Sequence, residues 1–139
     1  MPSIVRFGIS LEQELLEQFD KRLARKGYGS RSEALRDLIR EDLIKEEWDN
    51  EESETAGAII FIYDHHQRQL LEKVTEIQHN HQDLIISTSH IHLDHHNCLE
   101  IIAVRGRGKK IKQLADGLRS LKGVKHGRLS LSTTGKGIR

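Results

Sequence analysis

A short alternating segment near the N-terminus constrains the fold more than any other feature of this chain. Over residues 4–11, in IVRFGISL, apolar side chains alternate with Arg6, Gly8 and Ser10, which is the period of a β-strand. A single strand of this length is not stable alone. We therefore predict that it pairs with the same segment of a second chain.

Two amphipathic helices are predicted after this strand. The first covers residues 11–25, with Ser10 as its N-cap and Gly27 at its end. The second begins at Ser30 or Ser32 and continues to about residue 48. Hydrophobic residues make up only 36% of the chain and aromatic residues 4%. Because each half is short of core material, we expect it to bury surface against a partner subunit.

The rest of the chain predicts a second domain of the α+β class. An acidic segment over 49–56 has no apolar period and is predicted as a linker between domains at 1–48 and 57–139. The predicted elements are a strand over 57–65, a helix over 66–80, two strands around a turn at 94–97, a helix over 109–121 and a strand over 126–133. This βαββαβ order is that of ferredoxin-like domains, in which helices cover one face of an antiparallel sheet.

The net charge of +1 conceals a segregated charge pattern. Residues 46–56 hold six acids and no base, whereas residues 105–139 hold eleven Lys and Arg against the single acid Asp116. Separated charges suit a polyanionic partner, although a basic run of this kind is more often a solvated face, with nonspecific DNA affinity as the functional alternative. The longest apolar stretch, 57–63, is far shorter than the ~20 residues of a membrane helix, and no signal-peptide layout precedes it. We therefore expect a cytoplasmic protein without membrane contact.

Two N-terminal strands paired across chains would fit the major groove of B-DNA. Arg6 and Ser10 would then face base edges with Gly8 between them, and the helix start at Ser30 and Ser32 would face a phosphate. The alternative is a solvated edge strand. The segment RFGISLEQELLEQFDKRLARKGYGSRSEALRDLIR resembles the ribbon-helix-helix repressors, above all through GYGSRSEALRD. Gly8 departs from the polar residue of the family's middle reading position, which leaves the operator sequence open.

Eight of the nine histidines crowd into 32 residues, an enrichment that suggests metal binding. In SHIHLDHHNC, His90 and His92 share one strand face. If the turn pairs residue 92 with residue 98, Cys98 lies opposite His92, and Glu100 lies opposite His90. Two imidazoles and a thiolate suit a catalytic zinc site, a tetrahedral structural site, or a square-planar Ni(II) or Cu(II) site completed by another histidine. The best candidate for that fourth ligand is His79.

The segments TEIQHNHQD and SHIHLDHHNCLEIIAVRG resemble the nickel-responsive regulator family, NikR, and the likeness extends from Arg6 to the HGRLSL strand. The resemblance implies an ACT-like domain that binds one Ni(II) per subunit and assembles into a homotetramer, a dimer of dimers. It also implies that His90, His92 and Cys98 bind nickel together with His79 of a neighbouring subunit.

Further residues have supporting roles under this interpretation. Glu100 is either an acceptor that fixes the tautomer of a ligand imidazole or an ordinary strand carboxylate. The resemblance implies that Glu33 and Asp37 join a second, hard-cation site where the two domains meet; the alternative is a solvated pair. Arg68 matches a family position that approaches DNA phosphates. Solvated turn positions or weak secondary metal sites are predicted for His65, His66, His95 and His96.

These features predict a nickel-responsive, sequence-specific repressor of nickel-uptake genes, with Ni(II) as corepressor, palindromic operator DNA as partner and no enzymatic activity. Nickel would order the segment around 64–81 and act through a difference in affinity between conformations. Three alternatives stay open: a metalloenzyme, for which no general base is evident beside the site; an amino-acid sensor of the ACT type; and a DNA-binding protein whose metal is structural.

Overall fold

The computed structural model describes residues 3–139, so the first two residues of the predicted domain at 1–48 lie outside the described part. The chain divides into two compact units, of which the first extends to Ile39 and the second covers Arg40–Arg139. Within residues 3–139, no helix is long and apolar enough to cross a lipid bilayer.

The predicted strand over 4–11 is not formed as a strand in the single chain. The side chains of Val5, Phe7 and Ile9 are 80%, 73% and 59% exposed, so the apolar face of this segment is uncovered. A β-strand requires hydrogen bonds from a neighbouring strand, and a second chain would have to supply them. Pairing between two chains therefore stays a prediction, and the exposed apolar face is what such a pairing would cover.

The first helix, α1 (Gln13–Arg25), begins two residues later than predicted. Its N-cap is Glu12, which makes no side-chain capping hydrogen bond, so the prediction of Ser10 as the cap is wrong. An N-cap side chain reaches only the backbone N–H groups two or three residues ahead, and Ser10 lies too far before this helix to do so. Gly27 adopts a φ of 77° just after the helix and ends it, as predicted.

The second helix, α2 (Arg31–Asp49), begins at the first of the two predicted serines. The Ser30 hydroxyl accepts a hydrogen bond from the backbone N–H of Glu33 at 3.2 Å, whereas Ser32 already lies inside the helix. The Glu33 carboxylate in turn accepts the backbone N–H of Gly29 at 3.3 Å. These bonds satisfy N–H groups that have no partner within a helix.

The acidic segment predicted as a linker over 49–56 overlaps both elements beside it, because α2 ends at Asp49 and the strand β1 begins at Glu54. Thr55 is fully buried and donates its hydroxyl to the carbonyl oxygen of Gly106 at 3.2 Å. Three ion pairs join this segment to the basic run, namely Glu51–Lys109, Glu52–Arg107 and Glu54–Arg105. The acidic and basic runs, distant in sequence, are therefore neighbours in space.

The second unit has the predicted βαββαβ order. Its elements are β1 (Glu54–Asp64), α3 (Arg68–His79), β2 (Ile85–His92), β3 (Asn97–Arg107), α4 (Gly108–Arg119) and β4 (Val124–Leu131), whose boundaries differ from the predicted ones by at most three residues. The strands form one antiparallel sheet in the order β2-β3-β1-β4. This arrangement confirms the ferredoxin-like fold.

The core lies on one face of this sheet. Alternate residues of β1 and β3 are buried there with residues of α3 and α4: Ile59, Phe61, Tyr63, Leu70, Val74, Ile102, Val104, Ile111, Leu114 and Leu118. Trp48, near the end of α2, is 2% exposed and joins this cluster. Its indole N–H donates to the carbonyl oxygen of Ser132 at 2.8 Å. The distal part of α2 is thereby fixed to the sheet.

The other face of the sheet is also apolar but less covered. The residues between the buried positions on β1 and β3 are only half-buried, namely Ala58, Ile60, Ile62, Leu99, Ile101 and Ala103. On the edge strand β2, Ile91 is 43% exposed. Apolar side chains in neighbouring strand positions form a contiguous patch, as is typical of surfaces that bind another protein.

Replacing Trp48 by Ala should lower the free energy of unfolding by about 3–5 kcal/mol, because a large buried side chain and its hydrogen bond are both lost. Urea denaturation followed by circular dichroism, at fixed protein concentration, measures the change. Lys45→Ala, an exposed position of the same helix, should stay within about 0.5 kcal/mol of the parent and serves as the control. Equal stability of the two variants would contradict the anchoring role of Trp48.

Candidate metal centre

The hairpin of β2 and β3 carries three of the predicted ligands. His92 lies directly opposite Cys98 and His90 directly opposite Glu100, so the register on which the sequence-based hypothesis depends is the one found. Directly opposed residues of antiparallel strands project from the same face of the sheet. Both imidazoles and the thiol therefore share one face, and Cys98 and Glu100 are buried there with the core.

Asp94 fixes the turn between these strands. One of its carboxylate oxygens accepts the backbone N–H groups of His96 at 2.9 Å and Asn97 at 2.8 Å. The side-chain amide of Asn97 donates to both carboxylate oxygens. These hydrogen bonds lower the pKa of the Asp94 carboxyl group to about 2, and the Asn97 side chain makes the largest contribution. The turn is therefore closed by an ionised carboxylate at neutral pH, and the protein itself holds the register of the ligand pairs.

Glu100 orients the imidazole opposite to it. Its carboxylate is fully buried, and one oxygen lies 2.9 Å from Nδ1 of His90. The same oxygen accepts the Tyr63 hydroxyl at 3.0 Å, and the other accepts the side-chain amide of Gln78. In the tautomer that this contact requires, Nδ1 of His90 carries the proton and the lone pair of Nε2 is free for a metal.

Tyr63 completes this group of side chains from β1. It is 1% exposed and lies directly opposite Cys98 in the strand register. Burial raises the pKa of the Tyr63 hydroxyl well above its ordinary value, and the negative charge of Glu100 is the second-largest cause of this rise. The hydroxyl is therefore neutral and acts as a donor that helps to hold the buried carboxylate.

His79 lies at the end of α3, beside a pocket of about 460 Å³. The pocket is lined by Tyr63, Leu71, Val74, Thr75, Gln78, His79, Gln82, Ile85, His90 and Glu100. Nδ1 of His79 accepts a hydrogen bond from the Gln82 amide at 3.0 Å. His79 and His90 thus line one pocket, but the ligand atoms of the four predicted residues are not gathered within a single chain.

The trio that does gather within residues 3–139 is Asp64, His65 and His66, whose ligand atoms all lie within 4.8 Å of one another. The sequence predicted solvated turn positions or weak secondary metal sites for these two histidines and did not single out Asp64. The signal that could have found it is the DHH run directly at the end of a strand. The ring of His65 lies 4.7 Å from that of His92, so the trio borders the predicted ligands.

The residues predicted for a second cation site make local contacts. Glu33 accepts the Gly29 N–H, and Asp37 accepts the Tyr28 hydroxyl at 2.7 Å. Both contacts lie within the first compact unit. The two acids therefore have roles in organising α2, and their part in a cation site stays a prediction.

The predicted DNA-contacting residues are exposed. They are Arg6, Gly8, Ser10, Ser30, Ser32 and Arg68. Ser30 caps α2, and Arg68 forms an ion pair with Glu72 at 3.5 Å in which both side chains are largely exposed. An exposed pair of this kind contributes little to stability, so Arg68 is available to another anion.

Two family models match the chain. Residues 56–132 match the NikR C-terminal nickel-binding domain, and residues 5–46 match the ribbon-helix-helix protein of the copG family. A protein from Syntrophus aciditrophicus is 56% identical over 136 residues, and one from Geotalea uraniireducens is 53% identical over 136 residues. Each alignment covers 98% of both chains, and both relatives are provisionally named nickel-responsive regulators.

A solved structure resembles part of this chain. The uncharacterized protein TM1266 from Thermotoga maritima aligns with a TM-score of 0.52 and 12% sequence identity, over 57% of this chain and 98% of its own. At that identity the likeness concerns the fold alone.

Tyr63 should stay protonated well above pH 10, its ordinary pKa. In the Tyr28→Phe variant, tyrosinate absorbance follows Tyr63 alone, since the chain has two tyrosines. The raised pKa also means that the free energy of unfolding should decrease as the pH rises above 10, because the Tyr63 hydroxyl ionises at lower pH in the unfolded chain than in the folded one. In Tyr63→Phe, this contribution to the decrease should be absent. An ionisation midpoint at the ordinary value, with the fold intact by circular dichroism, would contradict the proposed environment.

Proposed function

Because the chain belongs to the NikR family of nickel-responsive regulators, we propose that it is a repressor of nickel-uptake genes for which Ni(II) is the corepressor. The family consists of transcription regulators rather than enzymes. The observation that carries the proposal is the strand register that sets His92 opposite Cys98 and His90 opposite Glu100. A DNA-binding regulator of this kind acts in the cytoplasm.

The donor set fits nickel. His90 and His92 offer imidazole nitrogens and Cys98 a thiolate, which are the ligand types that late first-row divalent ions prefer. We propose that His79 of a neighbouring subunit completes the set, with one Ni(II) per subunit. Bound nickel would supply a Lewis-acidic charge that draws these donors together. Glu100 supports the site because it engages Nδ1 of His90 and leaves Nε2 free.

The same contacts connect the metal site to α3. The side chain of Gln78 on α3 donates to Glu100, which in turn contacts His90 on β2. We propose that metal binding at His90 stabilises this chain of contacts and with it the segment around 64–81. Nickel then acts as corepressor to the extent that the ordered conformation binds DNA more tightly than the disordered one.

We propose that the exposed segment over 4–11 pairs with its copy in a second chain and enters the major groove. Arg6 and Ser10 would face base edges, and the capped start of α2 at Ser30 would face a phosphate. Arg68 is a further candidate for a phosphate contact. Two chains related by a two-fold axis would read a palindromic operator.

The homotetramer is part of the same proposal. The half-buried face of the sheet, which includes Ile60 and Ile101, presents apolar side chains opposite the face on which residues of α3 and α4 form the core. An apolar patch of this kind suits the contact between second units, while the N-terminal segments pair separately. A dimer of dimers follows, because one contact joins the DNA-binding units and the other joins the nickel-binding units.

The proposal predicts that nickel increases the affinity for a selected palindromic DNA by about 5–150-fold, the usual range of coupling between two binding sites. Purified protein is incubated with a pool of random duplexes, with and without one equivalent of Ni(II), and the bound DNA is sequenced. Cys98→Ala should lose the nickel response because the thiolate ligand is gone. His126→Ala, a histidine outside the predicted ligands, should keep it.

Each of the other possible results would change the proposal in a different way. DNA selection that does not depend on nickel would make the metal structural. Nickel-dependent selection that survives in Cys98→Ala would remove Cys98 from the site. No selection of DNA by the parent protein under either condition would overturn the repressor proposal.

A further inference from the structure

Gly8 lies in the middle of the polar side of the segment over 4–11, between Arg6 and Ser10. All three residues are exposed. Arg6 and Ser10 carry groups that can form hydrogen bonds to a base edge, whereas glycine has no side chain and offers no such group. The side of the segment that is proposed to read DNA therefore has a gap at its centre.

The local structure does not require glycine at this position. The glycines of residues 3–139 with a positive φ are Gly27, Gly106, Gly123 and Gly135, and Gly8 is not among them. A Cβ atom added to Gly8 would meet no other atom within 4 Å. Glycine is unfavourable within a strand, because it loses more conformational freedom than other residues and packs no side chain. The missing side chain must therefore matter in the paired form that binds DNA.

The apolar side of the segment determines which side can face DNA. Val5, Phe7 and Ile9 are all largely exposed in the single chain, and pairing with a second chain would have to bury them. Successive residues of a strand point to opposite sides. Burial of the apolar side thus leaves the polar side outward, with Gly8 at its centre, whatever the register between the two strands.

We propose that Gly8 makes the middle of this reading side silent, so that the operator contains unselected base pairs between those that face Arg6 and Ser10. The inference rests on the proposed function, since it requires that this side enters the major groove. Base pairs are distinguished there by hydrogen bonds and methyl contacts from side chains. The backbone groups of a paired strand are already engaged with the neighbouring strand. A position without a side chain therefore leaves all four base pairs equivalent in direct readout.

The test begins with the position of the gap. The full chain with one equivalent of Ni(II) is incubated with a pool of random duplexes, and the bound DNA is sequenced for the parent, Arg6→Ala and Ser10→Ala. The base pairs at which these two variants lose selection mark the ends of an interval that contains the middle position. Within this interval the parent should discriminate among the four base pairs by less than about fivefold, the lower limit for a good side-chain contact.

Gly8→Asn then adds a side chain at the same position. An asparagine amide can form two hydrogen bonds with adenine, so this variant should select adenine within the interval by about fivefold or more. Gly117→Asn is the matched control, because a Cβ at Gly117 would likewise meet no atom within 4 Å. Gly117 lies in α4 of the second unit, and this variant should keep the selection of the parent.

Several results would overturn the inference. Strong selection within the interval by the parent would mean that this position is read without a side chain. Unchanged selection by Gly8→Asn, with DNA binding retained, would mean that the position does not face the bases. Loss of DNA binding by Gly8→Asn, with the fold intact by circular dichroism, would mean that the backbone approaches DNA too closely for any side chain.

Failure of the proposed function gives a different pattern. If the parent selects no DNA, the repressor proposal fails and the inference fails with it. Selection by the parent that survives in both Arg6→Ala and Ser10→Ala would leave a DNA-binding protein, but one that does not read bases with this side of the segment. That result would overturn the inference on Gly8 alone.

Discussion

The buried carboxylate of Glu100 is the constraint on which the rest of the candidate site depends. A carboxylate that is fully buried must be paired or hydrogen-bonded, because transfer out of water is otherwise very costly. Its partners come from three elements: Tyr63 from β1, Gln78 from α3 and His90 from β2. The same bonds that make its burial possible orient a candidate ligand imidazole, so the fold and the metal site share one set of contacts.

Electrostatic attraction within the second unit gives the segregated charges a structural role. The acids after α2 form ion pairs with Arg105, Arg107 and Lys109 at the end of β3 and the start of α4. A single exposed ion pair contributes little to stability. The three pairs lie beside the buried residues Trp48 and Thr55, which hold the same segment of the chain. The basic run is therefore engaged in part by the protein itself, which weakens the interpretation of that run as a separate polyanion-binding surface.

What could be predicted from the sequence depended on local patterns. Alternation along β2 placed His90 and His92 on one face, and the pairing of His92 with Cys98, which the sequence predicted only under a condition on the turn, is the register of the structure. The strand over 4–11 could not be tested in the same way, since its pairing depends on a second chain. The prediction of Ser10 as the N-cap of α1 was wrong because the helix begins two residues later than predicted, with Glu12 as its N-cap. Helix ends vary by one or two residues, and the sequence pattern alone does not fix them. Burial of Glu100 by side chains from β1 and α3 required the tertiary structure.

Nickel K-edge X-ray absorption spectroscopy of the full chain with one equivalent of Ni(II) identifies the donor atoms and therefore tests whether Cys98 binds the metal. We predict imidazole donors together with a nickel–sulfur contribution that disappears in Cys98→Ala, while His126→Ala leaves the spectrum unchanged. Nickel bound by nitrogen and oxygen alone in the parent protein would contradict the proposed ligand set. In that case the pairing of His92 with Cys98 would be a feature of the fold and not of the metal site.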